Sequence, residues 1–417
     1  MTLKQIYVAI HTSETQSVSI HACDESLVKQ SPYLKVINEK VVFKPGFYIG
    51  SMDIKKHFGF LKLIDEDDIY IDEDHLESAM QNDIVIVDDR LHRPKIVHIV
   101  ERGLKHLICK VSKNKYSTYV EPETEVYQLL MVDINIDVVD GHIVYVVIDE
   151  ITALHIKGHV DHIIGHENDP DIETMKLVST FNWPHEFHQD VYDALKKIPK
   201  EEQSNISFED RLIMTIDGAD AKDLDDAIHI EKTEKGYELG VHIADVSHYV
   251  KPNTAIDQEA FSRSTSVYLA DRVIPMLPHQ LSNDKCSLNP YEKKKVISLV
   301  MHISFEGVVL SHQFYSSWIQ SSYRLTYDRV NAFIINNKPF EDNTLNTSLK
   351  HFQALSETMQ KVRNQRGQLN LESDELGFII KKGLVKDIYI RKTGPAEALI
   401  ESMMLLANET TAYHLST

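Results

Sequence analysis

The sequence is poor in cysteine and lacks both a long apolar run and a basic leader. Its three cysteines, Cys23, Cys109 and Cys286, are odd in number and far apart, which excludes a disulfide framework and argues against a thiolate zinc site. No stretch approaches the roughly 18 apolar residues of a membrane span, and residues 143–148 are only strand-length. The first ten residues lack the basic segment and apolar core of a signal peptide. These absences predict a soluble cytoplasmic protein with no membrane partner.

Basic residues are also scarce, since 44 Lys and Arg face 63 Asp and Glu for a formal net charge of −19. This excess of acidic residues does not indicate nucleic-acid binding, although an acidic protein can still contain a local basic channel. Hydrophobic residues at 42% and charged residues at 26% are typical of globular proteins, which excludes wholesale disorder, collagen and coiled coil. The 417 residues predict two to four domains of about 150 residues each.

The first part of the chain is rich in short strands. Two consecutive runs of about sixty residues, 46–103 and 104–164, each hold four or five strand-length segments of β-branched and aromatic residues, which favours two small closed barrels. An N-terminal segment, 1–45, precedes them and contains two apolar stretches of strand length, 6–10 and 34–42. No chemistry is evident in that segment.

Lysines and aromatic residues are interleaved in both runs, as binding of single-stranded nucleic acid requires. In the first run, Phe58 and Phe60 follow Lys55 and Lys56, and we take these two phenylalanines as candidate RNA-binding residues. The second run carries a similar set: Lys113, Lys115, Tyr116 and Tyr119. The alternative for each aromatic residue, of equal weight, is that it fills its barrel.

The second half of the chain has a different predicted secondary structure, with helices as well as strands. Residues 165–206 form a connector with one predicted helix, whose apolar residues from Phe187 to Leu195 recur at helical spacing. From 207 to 417, longer strands alternate with helices, which indicates one larger α+β domain. Further helices are predicted at 352–365 and 396–415.

The strongest local signal is an acidic loop at residues 217–226. Sixty-three acidic residues in 417 would place about one and a half in ten positions, whereas this loop contains five: Asp217, Asp220, Asp223, Asp225 and Asp226. Apolar runs flank it on both sides, so the carboxylates are crowded into a turn. Crowded carboxylates raise one another's pKa unless cations neutralise them, and oxygen ligands suit Mg²⁺. Two such ions can promote phosphodiester cleavage.

Spacing alone leaves alternatives open. An EF-hand loop needs Gly at position six and Glu at position twelve, but Ile228 occupies position twelve counted from Asp217 and position six counted from Asp223. A solvated acidic turn without any metal is as good an interpretation as a metal site. A calcium or magnesium binder with no role in RNA chemistry is a more distant one.

Together with later segments, the loop resembles the signature of the ribonuclease II / ribonuclease R family of exoribonucleases. The matching segments follow in order at residues 241–250, 266–269, 273–283, 286–289, 324–327 and 399–408. In the first half, segments at 57–60, 68–71 and 165–166 resemble the cold-shock-like domains of the ribonuclease R branch. The resemblance implies a multidomain chain in which two small OB-type, cold-shock-like β-barrels precede an α+β RNB catalytic domain.

The resemblance also implies an activity. Members of the family are processive hydrolases that degrade single-stranded RNA from its 3′ end to nucleoside 5′-monophosphates, with a pair of Mg²⁺ ions as cofactor. The family's catalytic and metal-binding aspartates fall on Asp217, Asp223, Asp225 and Asp226, of which we expect Asp225 to matter most for the chemical step. Asp220 lies between them and is not one of the four.

Four further positions match family motifs. Tyr268 corresponds to an aromatic residue that stacks on a terminal base, with a core tyrosine as the alternative, and Glu401 corresponds to a glutamate near the substrate end. His242 and His248 also lie in a matching motif, and we interpret them as structural, hydrogen-bonded neutral imidazoles.

The sequence departs from the family pattern after the last helix. In the family, the catalytic domain continues with an arginine-containing segment and a third OB-type domain, and neither is present here. We therefore expect an incomplete catalytic domain with an exposed apolar face at residues 403–406. The alternative functions are a non-catalytic RNA-binding remnant, or half of a split enzyme completed by a second chain. Leu371 stands near the family's other stacking aromatic, and no helix-turn-helix-like domain is evident in residues 1–45.

Overall fold

The computed structural model describes residues 1–64, 66–198, 206–369, 375–381, 384–391 and 393–417. The chain divides into two compact units, Met1–Trp183 and Pro184–Thr417. Leu371, the expected replacement for a stacking aromatic, lies outside the described residues.

The first unit is mostly β-structure. Its helices are α1 (Leu3–His11), α2 (Glu25–Gln30) and α3 (Ile172–Thr180). Its strands are β1 (Val18–Ser19), β2 (Leu34–Ile37), β3 (Lys40–Phe43), β4 (Phe47–Ile54), β5 (Phe58–Lys62), β6 (Ile69–Asp72), β7 (Ile84–Asp88), β8 (Lys95–Glu101), β9 (His106–Lys113), β10 (Thr118–Pro122), β11 (Leu129–Asp133), β12 (His142–Ile151) and β13 (His155–His166).

The N-terminal segment combines two helices with a three-stranded sheet in the order β1-β3-β2. The strand predicted at residues 6–10 is wrong, because Thr2 and Gln5 form a capping box that starts α1 there. Ile6 and Ile10, four residues apart, are buried on one face of that helix. The stretch at 34–42 does form strands, namely β2 and β3, as predicted.

The two predicted barrel regions each contain a five-stranded sheet, in the orders β6-β5-β4-β7-β8 and β10-β9-β12-β13-β11. Numbered one to five along the chain, both sheets have the same cyclic order, 1-2-3-5-4, opened at different pairs of strands. This shared order favours the five-stranded OB architecture. Among the described strands no pair closes either sheet, so the OB-type barrels stay a prediction.

The second unit alternates helices and longer strands. Its helices are α4 (Gln189–Lys196), α5 (Val246–Tyr249), α6 (Ala255–Arg263), α7 (Tyr327–Asn336), α8 (Asn343–Gln365) and α9 (Pro395–Ser416). Its strands are β14 (Met214–Asp217), β15 (Asp226–Thr233), β16 (Gly236–Ala244), β17 (Val267–Tyr268), β18 (Val273–Ile274), β19 (Lys293–Ser304), β20 (Val309–Gln320), β21 (Tyr323–Thr326), β22 (Glu375–Lys381) and β23 (Leu384–Arg391).

All the predicted helices are present, but α8 starts earlier than predicted and the connector contains one additional helix. α8 begins nine residues before the predicted start, because the Asp342 side chain accepts hydrogen bonds from the backbone N–H groups of Thr344 and Leu345 and caps the helix there. The connector contains not one helix but two, since α3 precedes the predicted α4. The sequence carried an overlooked signal for α3, since apolar residues recur there at helical spacing at Ile172, Met175 and Val178.

The core of the second unit lies between helices and a six-stranded sheet in the order β20-β19-β16-β15-β14-β21. Helices α7, α8 and α9 supply the apolar side chains that pack on this sheet. The face of α9 at residues 403–406, expected to be exposed, is part of this core, with Met403 fully buried and Leu406 nearly so. That expectation was wrong because α8 and the sheet already cover the face, and an incomplete catalytic domain is not shown.

A chain of polar side chains crosses four strands inside this sheet. His229 Nδ1 lies 2.8 Å from His242 Nε2, and His242 Nδ1 lies 2.6 Å from the hydroxyl of Ser298. The Ser298 hydroxyl is 2.7 Å from that of Ser317. Gly240 makes room for the first ring, since a Cβ there would lie 2.0 Å from His229 Cε1. The structural role predicted for His242 is confirmed by these buried hydrogen bonds.

Two features of the structure relate to the predicted cytoplasmic location, namely the state of the cysteines and the hydropathy of the helices. Cys23, Cys109 and Cys286 are free thiols, and burial raises the pKa of Cys109 and of Cys286 to about 12. These two thiols therefore stay protonated at neutral pH. No helix in the described part of the chain is long and apolar enough to cross a membrane. The cytoplasmic location stays a prediction.

Acid should destabilise the folded chain through His242. Burial, and next the neighbouring His229, hold the pKa of His242 well below its usual 6.5. The unfolded chain therefore binds a proton that the folded chain does not bind, and stability falls as the pH drops below 6.5. In urea unfolding at pH 7.5 and 5.5, we expect this group to contribute a loss of about 1 kcal/mol. His242→Gln should lack that component.

The matched control is His185→Gln, at an exposed histidine of the same unit, which should keep the wild-type pH dependence. Equal pH dependence in the wild type and in His242→Gln would contradict this prediction.

Candidate active site

The acidic loop joins two paired strands of the six-stranded sheet. Asp217 is the last residue of β14 and Asp226 is the first residue of β15. These strands are antiparallel neighbours, with Met214 opposite Ile228. The loop therefore leaves and re-enters the sheet at the same end of its strands. Strand pairing thus brings the first and last of the four predicted catalytic aspartates to one place.

Hydrogen bonds from other segments to the backbone of the loop hold its second half in place. The buried Ser287 hydroxyl accepts a hydrogen bond from the N–H of Leu224 (3.1 Å) and donates to the carbonyl of Lys222 (2.9 Å). The N–H of Ala244 donates to the carbonyl of Asp225 (3.0 Å). Because the Leu224 side chain is fully buried, the residues on either side of it have defined positions.

Electrostatic coupling shows that the predicted aspartates are neighbours. Burial, then repulsion by Asp226, raises the pKa of Asp217 to about 7, against the opposing effect of Arg324. Burial and the charge of Asp225 raise the pKa of Asp226 to about 6. Burial and the charge of Asp223 raise the pKa of Asp225 as well. All four carboxylates therefore belong to one interacting cluster.

The donor chemistry of this cluster fits a hard cation. The Oδ2 atom of Asp217 is buried and has no hydrogen-bond partner among the described residues, so one carboxylate oxygen is free for a ligand. Mg²⁺ commonly binds proteins through one or two carboxylates. Within the described ranges, no three Asp, Glu, His or Cys side chains converge closely enough to hold a metal ion. The arrangement is a set of neighbouring carboxylates that is not closed into a cage.

Tyr268 reaches the cluster from a different segment. It lies in the short β17–β18 hairpin, and its hydroxyl donates a hydrogen bond to Asp223 Oδ2 at 3.2 Å. Its side chain is 67% exposed, so the alternative of a core tyrosine is wrong. An exposed ring anchored to the acidic loop through its hydroxyl can offer a face to a base.

Glu401 is not brought to the loop by a contact. It lies on the exposed side of α9, and its side chain makes no hydrogen bond or ion pair with any residue that the structure describes. Its proximity to substrate stays a prediction.

The first unit carries a cluster of aromatic rings on its first five-stranded sheet. The ring centroids of Phe58 and Phe60 are 5.6 Å apart, and Tyr70 is 5.5 Å from the first and 5.9 Å from the second. The ammonium group of Lys62 lies 5.7 Å from the Phe60 centroid. We call Phe58, Phe60 and Tyr70 the aromatic platform. Its rings are accessible, since Tyr70 is 50% exposed and the other two are half-buried.

Sequence reasoning missed Tyr70, although one signal was present. Tyr70 lies directly opposite Phe60 on the neighbouring strand, and its segment had matched the family without being considered for stacking. In the second run, Tyr116 is 96% exposed, and neither it nor Tyr119 pairs with another ring among the described residues. These two tyrosines therefore do not form a comparable platform; the stacked rings of that run are His106, Tyr145 and His162 instead.

Comparison with known proteins assigns the second unit to a family. The family model for the RNB domain matches residues 205–417, about half of the chain. The chain belongs to the RNB domain family. Ribonuclease R 1 of Lactococcus lactis is 42% identical over 268 residues, which cover 62% of this chain and 33% of that protein. Ribonuclease R of Thermotoga maritima is 36% identical and covers 87% of this chain and 54% of that protein.

A solved structure resembles most of this RNB-family chain. Mycoplasma genitalium RNase R in complex with ribose-methylated single-stranded RNA matches with a TM-score of 0.79 and 27% identity. The match covers 88% of this chain and 62% of that one. The chain spans about half the length of most of the curated relatives it matches.

Removing one charge from the cluster should stabilise the ion-free protein. The folded-state pKa of Asp217 is about 7 against the ordinary 3.8, so ionised Asp217 costs stability in full above pH 7, and this cost shrinks as the pH falls toward 4. In EDTA at pH 8, we expect Asp217→Asn to raise the free energy of unfolding by roughly 1–3 kcal/mol. Added Mg²⁺ should then stabilise the wild type more than the variant.

Asp220→Asn is the control, because Asp220 is an exposed residue of the same loop and is not one of the four predicted ligands. Unfolding measured with and without Mg²⁺ at pH 8 and pH 5 separates the two effects. An Asp217→Asn protein no more stable than Asp220→Asn at pH 8 in EDTA would show that the charge of Asp217 carries no such cost.

Proposed function

We propose that this RNB-family chain is a processive 3′-to-5′ exoribonuclease that hydrolyses RNA to nucleoside 5′-monophosphates and depends on Mg²⁺. The observation that carries the proposal is the acidic loop, where four coupled carboxylates meet at one sheet edge beside an exposed, hydrogen-bonded tyrosine. Relatives named ribonuclease R support it, as does the RNA-bound relative of similar fold. The proposed substrate is the 3′ end of single-stranded RNA.

In this proposal, Asp217, Asp223, Asp225 and Asp226 are both catalytic residues and metal ligands. When held by them, a pair of Mg²⁺ ions supplies positive charge at the last phosphodiester and makes water a better nucleophile. The Asp217 Oδ2 atom, buried and unpartnered among the described residues, is the oxygen best prepared to accept such a ligand.

The reaction itself is a hydrolysis of the last phosphodiester. Water adds to its phosphorus, the bond from phosphorus to the preceding 3′ oxygen breaks, and that oxygen leaves with a proton. The terminal nucleoside departs with a 5′ phosphate, and the shortened RNA keeps a 3′ hydroxyl. The Tyr268 ring stacks on the terminal base and so holds the last nucleotide at the carboxylates. Stacking accepts any base, which suits a nuclease without sequence preference.

The aromatic platform of the first unit is proposed to bind RNA bases independently of catalysis. Phe58 and Phe60 were the predicted residues, and Tyr70 completes the platform. The Lys62 ammonium beside it forms an ion pair with Asp68, and when RNA is bound it can exchange this carboxylate for the phosphate backbone.

Activity should require both the loop and the divalent ion. With 5′-labelled single-stranded RNA, we expect the purified chain to shorten the RNA progressively from its 3′ end in Mg²⁺ and not in EDTA. Asp225→Asn should lower the rate roughly 100-fold or more, equivalent to about 2.7 kcal/mol of transition-state stabilisation. Asp220→Asn, in the same loop, should keep near wild-type activity.

RNA binding without shortening would contradict the proposed activity. It would favour an RNA-binding remnant, or half of a split enzyme that needs a second chain. The absence of both binding and shortening, with retained Mg²⁺ binding, would leave only an ion-binding role for the loop.

Loss of the platform should weaken RNA binding without affecting the chemistry. In EDTA, where no hydrolysis occurs, Phe58→Leu combined with Tyr70→Leu should raise the Kd for single-stranded RNA about 5- to 150-fold for each stacked base lost, which corresponds to 1–3 kcal/mol. Fluorescence anisotropy with labelled RNA measures this. Leucine keeps an apolar side chain on the sheet, so the fold should persist.

Tyr127→Leu is the matched control, since Tyr127 is another exposed aromatic residue of the first unit but does not belong to the platform. A Kd equal to that of Tyr127→Leu would show that the platform rings only fill space in the sheet.

A further inference from the structure

We propose that Arg324 is a positioning residue for the acidic loop, and that divalent-ion binding by the aspartates depends on it. The inference rests on the proposed function in one respect, namely that the loop is the ion-binding site. It concerns a side chain of β21, which precedes α7 and lies about a hundred residues after the loop in the chain.

The sheet places Arg324 beside the loop. β21 runs parallel to β14, with Arg324 opposite Thr215 and Thr326 opposite Asp217. From this position the guanidinium Nη2 donates a hydrogen bond to the carbonyl of Ala221 at 2.5 Å and lies 3.5 Å from the carbonyl of Ala219. One side chain thus holds two backbone groups in the segment between Asp217 and Asp223.

That segment has little else to hold it. Ala219 and Asp220 are exposed, and a Cβ added at Gly218 would meet no atom within 4 Å, so this part of the loop faces open space. Within residues 218–221, the other backbone hydrogen bond that the structure describes is a turn from the N–H of Ala221 to the carbonyl of Gly218 (3.2 Å). The second half of the loop, by contrast, is fixed by Ser287 and Ala244. Arg324 fixes the backbone of the first half of the loop, as Ser287 and Ala244 fix that of the second half.

The charge of Arg324 acts in the same direction. Burial and then the other aspartates raise the pKa of Asp217, and Arg324 opposes this shift. The guanidinium therefore offsets part of the repulsion that would push the carboxylates apart, while its hydrogen bonds hold the backbone that carries them. Both contacts come from one nitrogen, Nη2, so a lysine ammonium with its three rotatable donors can replace part of them, but without the fixed geometry of the guanidinium.

The chain offers a closely matched control. Arg329, five residues later, also holds two carbonyl groups, those of Lys338 (2.9 Å) and Pro339 (2.7 Å), and its guanidinium lies 3.7 Å from the Phe340 centroid. These contacts hold the segment between α7 and α8, away from the loop sequence. Arg329→Ala therefore removes the same type of clamp without touching the acidic loop.

The test measures binding of Mn²⁺ to the RNA-free full chain by electron paramagnetic resonance, for the wild type, Arg324→Ala, Arg324→Lys and Arg329→Ala. Loss of a residue that orients metal ligands typically costs about 10–100-fold in metal affinity, and we expect a loss of that size in Arg324→Ala. Arg324→Lys should recover part of the affinity. Arg329→Ala should bind Mn²⁺ within about twofold of the wild type, since a general loss of stability does not select the loop.

A second arm separates positioning from contact with RNA. At saturating Mn²⁺ and with the RNA concentration varied, Arg324→Ala should lower kcat and leave KM within about twofold, because the ground-state grip on RNA comes from stacking residues. Unchanged Mn²⁺ affinity in folded Arg324→Ala, or in Arg324→Lys if the alanine variant does not fold, would overturn the proposal. An effect on KM alone would also overturn it, because Arg324 would then be an RNA contact.

The two proposals fail in different ways. If the wild type binds Mn²⁺ but shortens no RNA, the proposed function fails, and Arg324 is still judged by the Mn²⁺ affinities. If the wild type binds no Mn²⁺, the role assigned to Arg324 is overturned.

Discussion

Repulsion among carboxylates at one sheet edge is the constraint on which the second unit depends. Antiparallel pairing of β14 and β15 forces Asp217 and Asp226 together, and the short loop between them adds Asp223 and Asp225 to the coupled cluster. Partial burial makes this costly, because charge is poorly solvated there, and the pKa values of the two terminal aspartates rise to about 7 and 6. A fold that tolerates such a cluster must hold the backbone firmly and gain its stability elsewhere.

The holding contacts come from segments far apart in the chain. A buried serine hydroxyl and a backbone N–H fix the second half of the loop, a tyrosine hydroxyl binds the side chain of Asp223, and the Arg324 guanidinium reaches the first half. The stability comes from the apolar layer between the six-stranded sheet and its helices, and from the buried polar chain of His229, His242, Ser298 and Ser317 that joins four strands. The site is thus a cluster of mutually repelling carboxylates at the end of two strands of a well-packed sheet.

Much of the architecture could be predicted from local patterns. The helix at 395–416 has apolar residues at regular helical spacing, and its prediction at 396–415 was accurate to a residue at each end. The five-residue run at 6–10 was misassigned because a short apolar run suits a strand or a helix equally well, and only the capping box of Thr2 and Gln5 decides between them. The apolar face at 403–406 was expected to be exposed because the absent part of the family's catalytic domain was assumed to cover it, and the sequence does not show that α8 and the sheet pack there.

By itself, the sequence determined the chemistry that is available. Five aspartates in ten positions between two apolar runs already imply crowded carboxylates at the end of a strand, because residues adjacent in the chain stay adjacent in space. Only the tertiary structure decided that the Oδ2 atom of Asp217 is unpartnered among the described residues, that Tyr268 binds Asp223, that Arg324 clamps the loop and that Tyr70 completes the platform. Most of these contacts join residues far apart in the chain. They depend on which strands pair and in which register, and no local pattern records that choice.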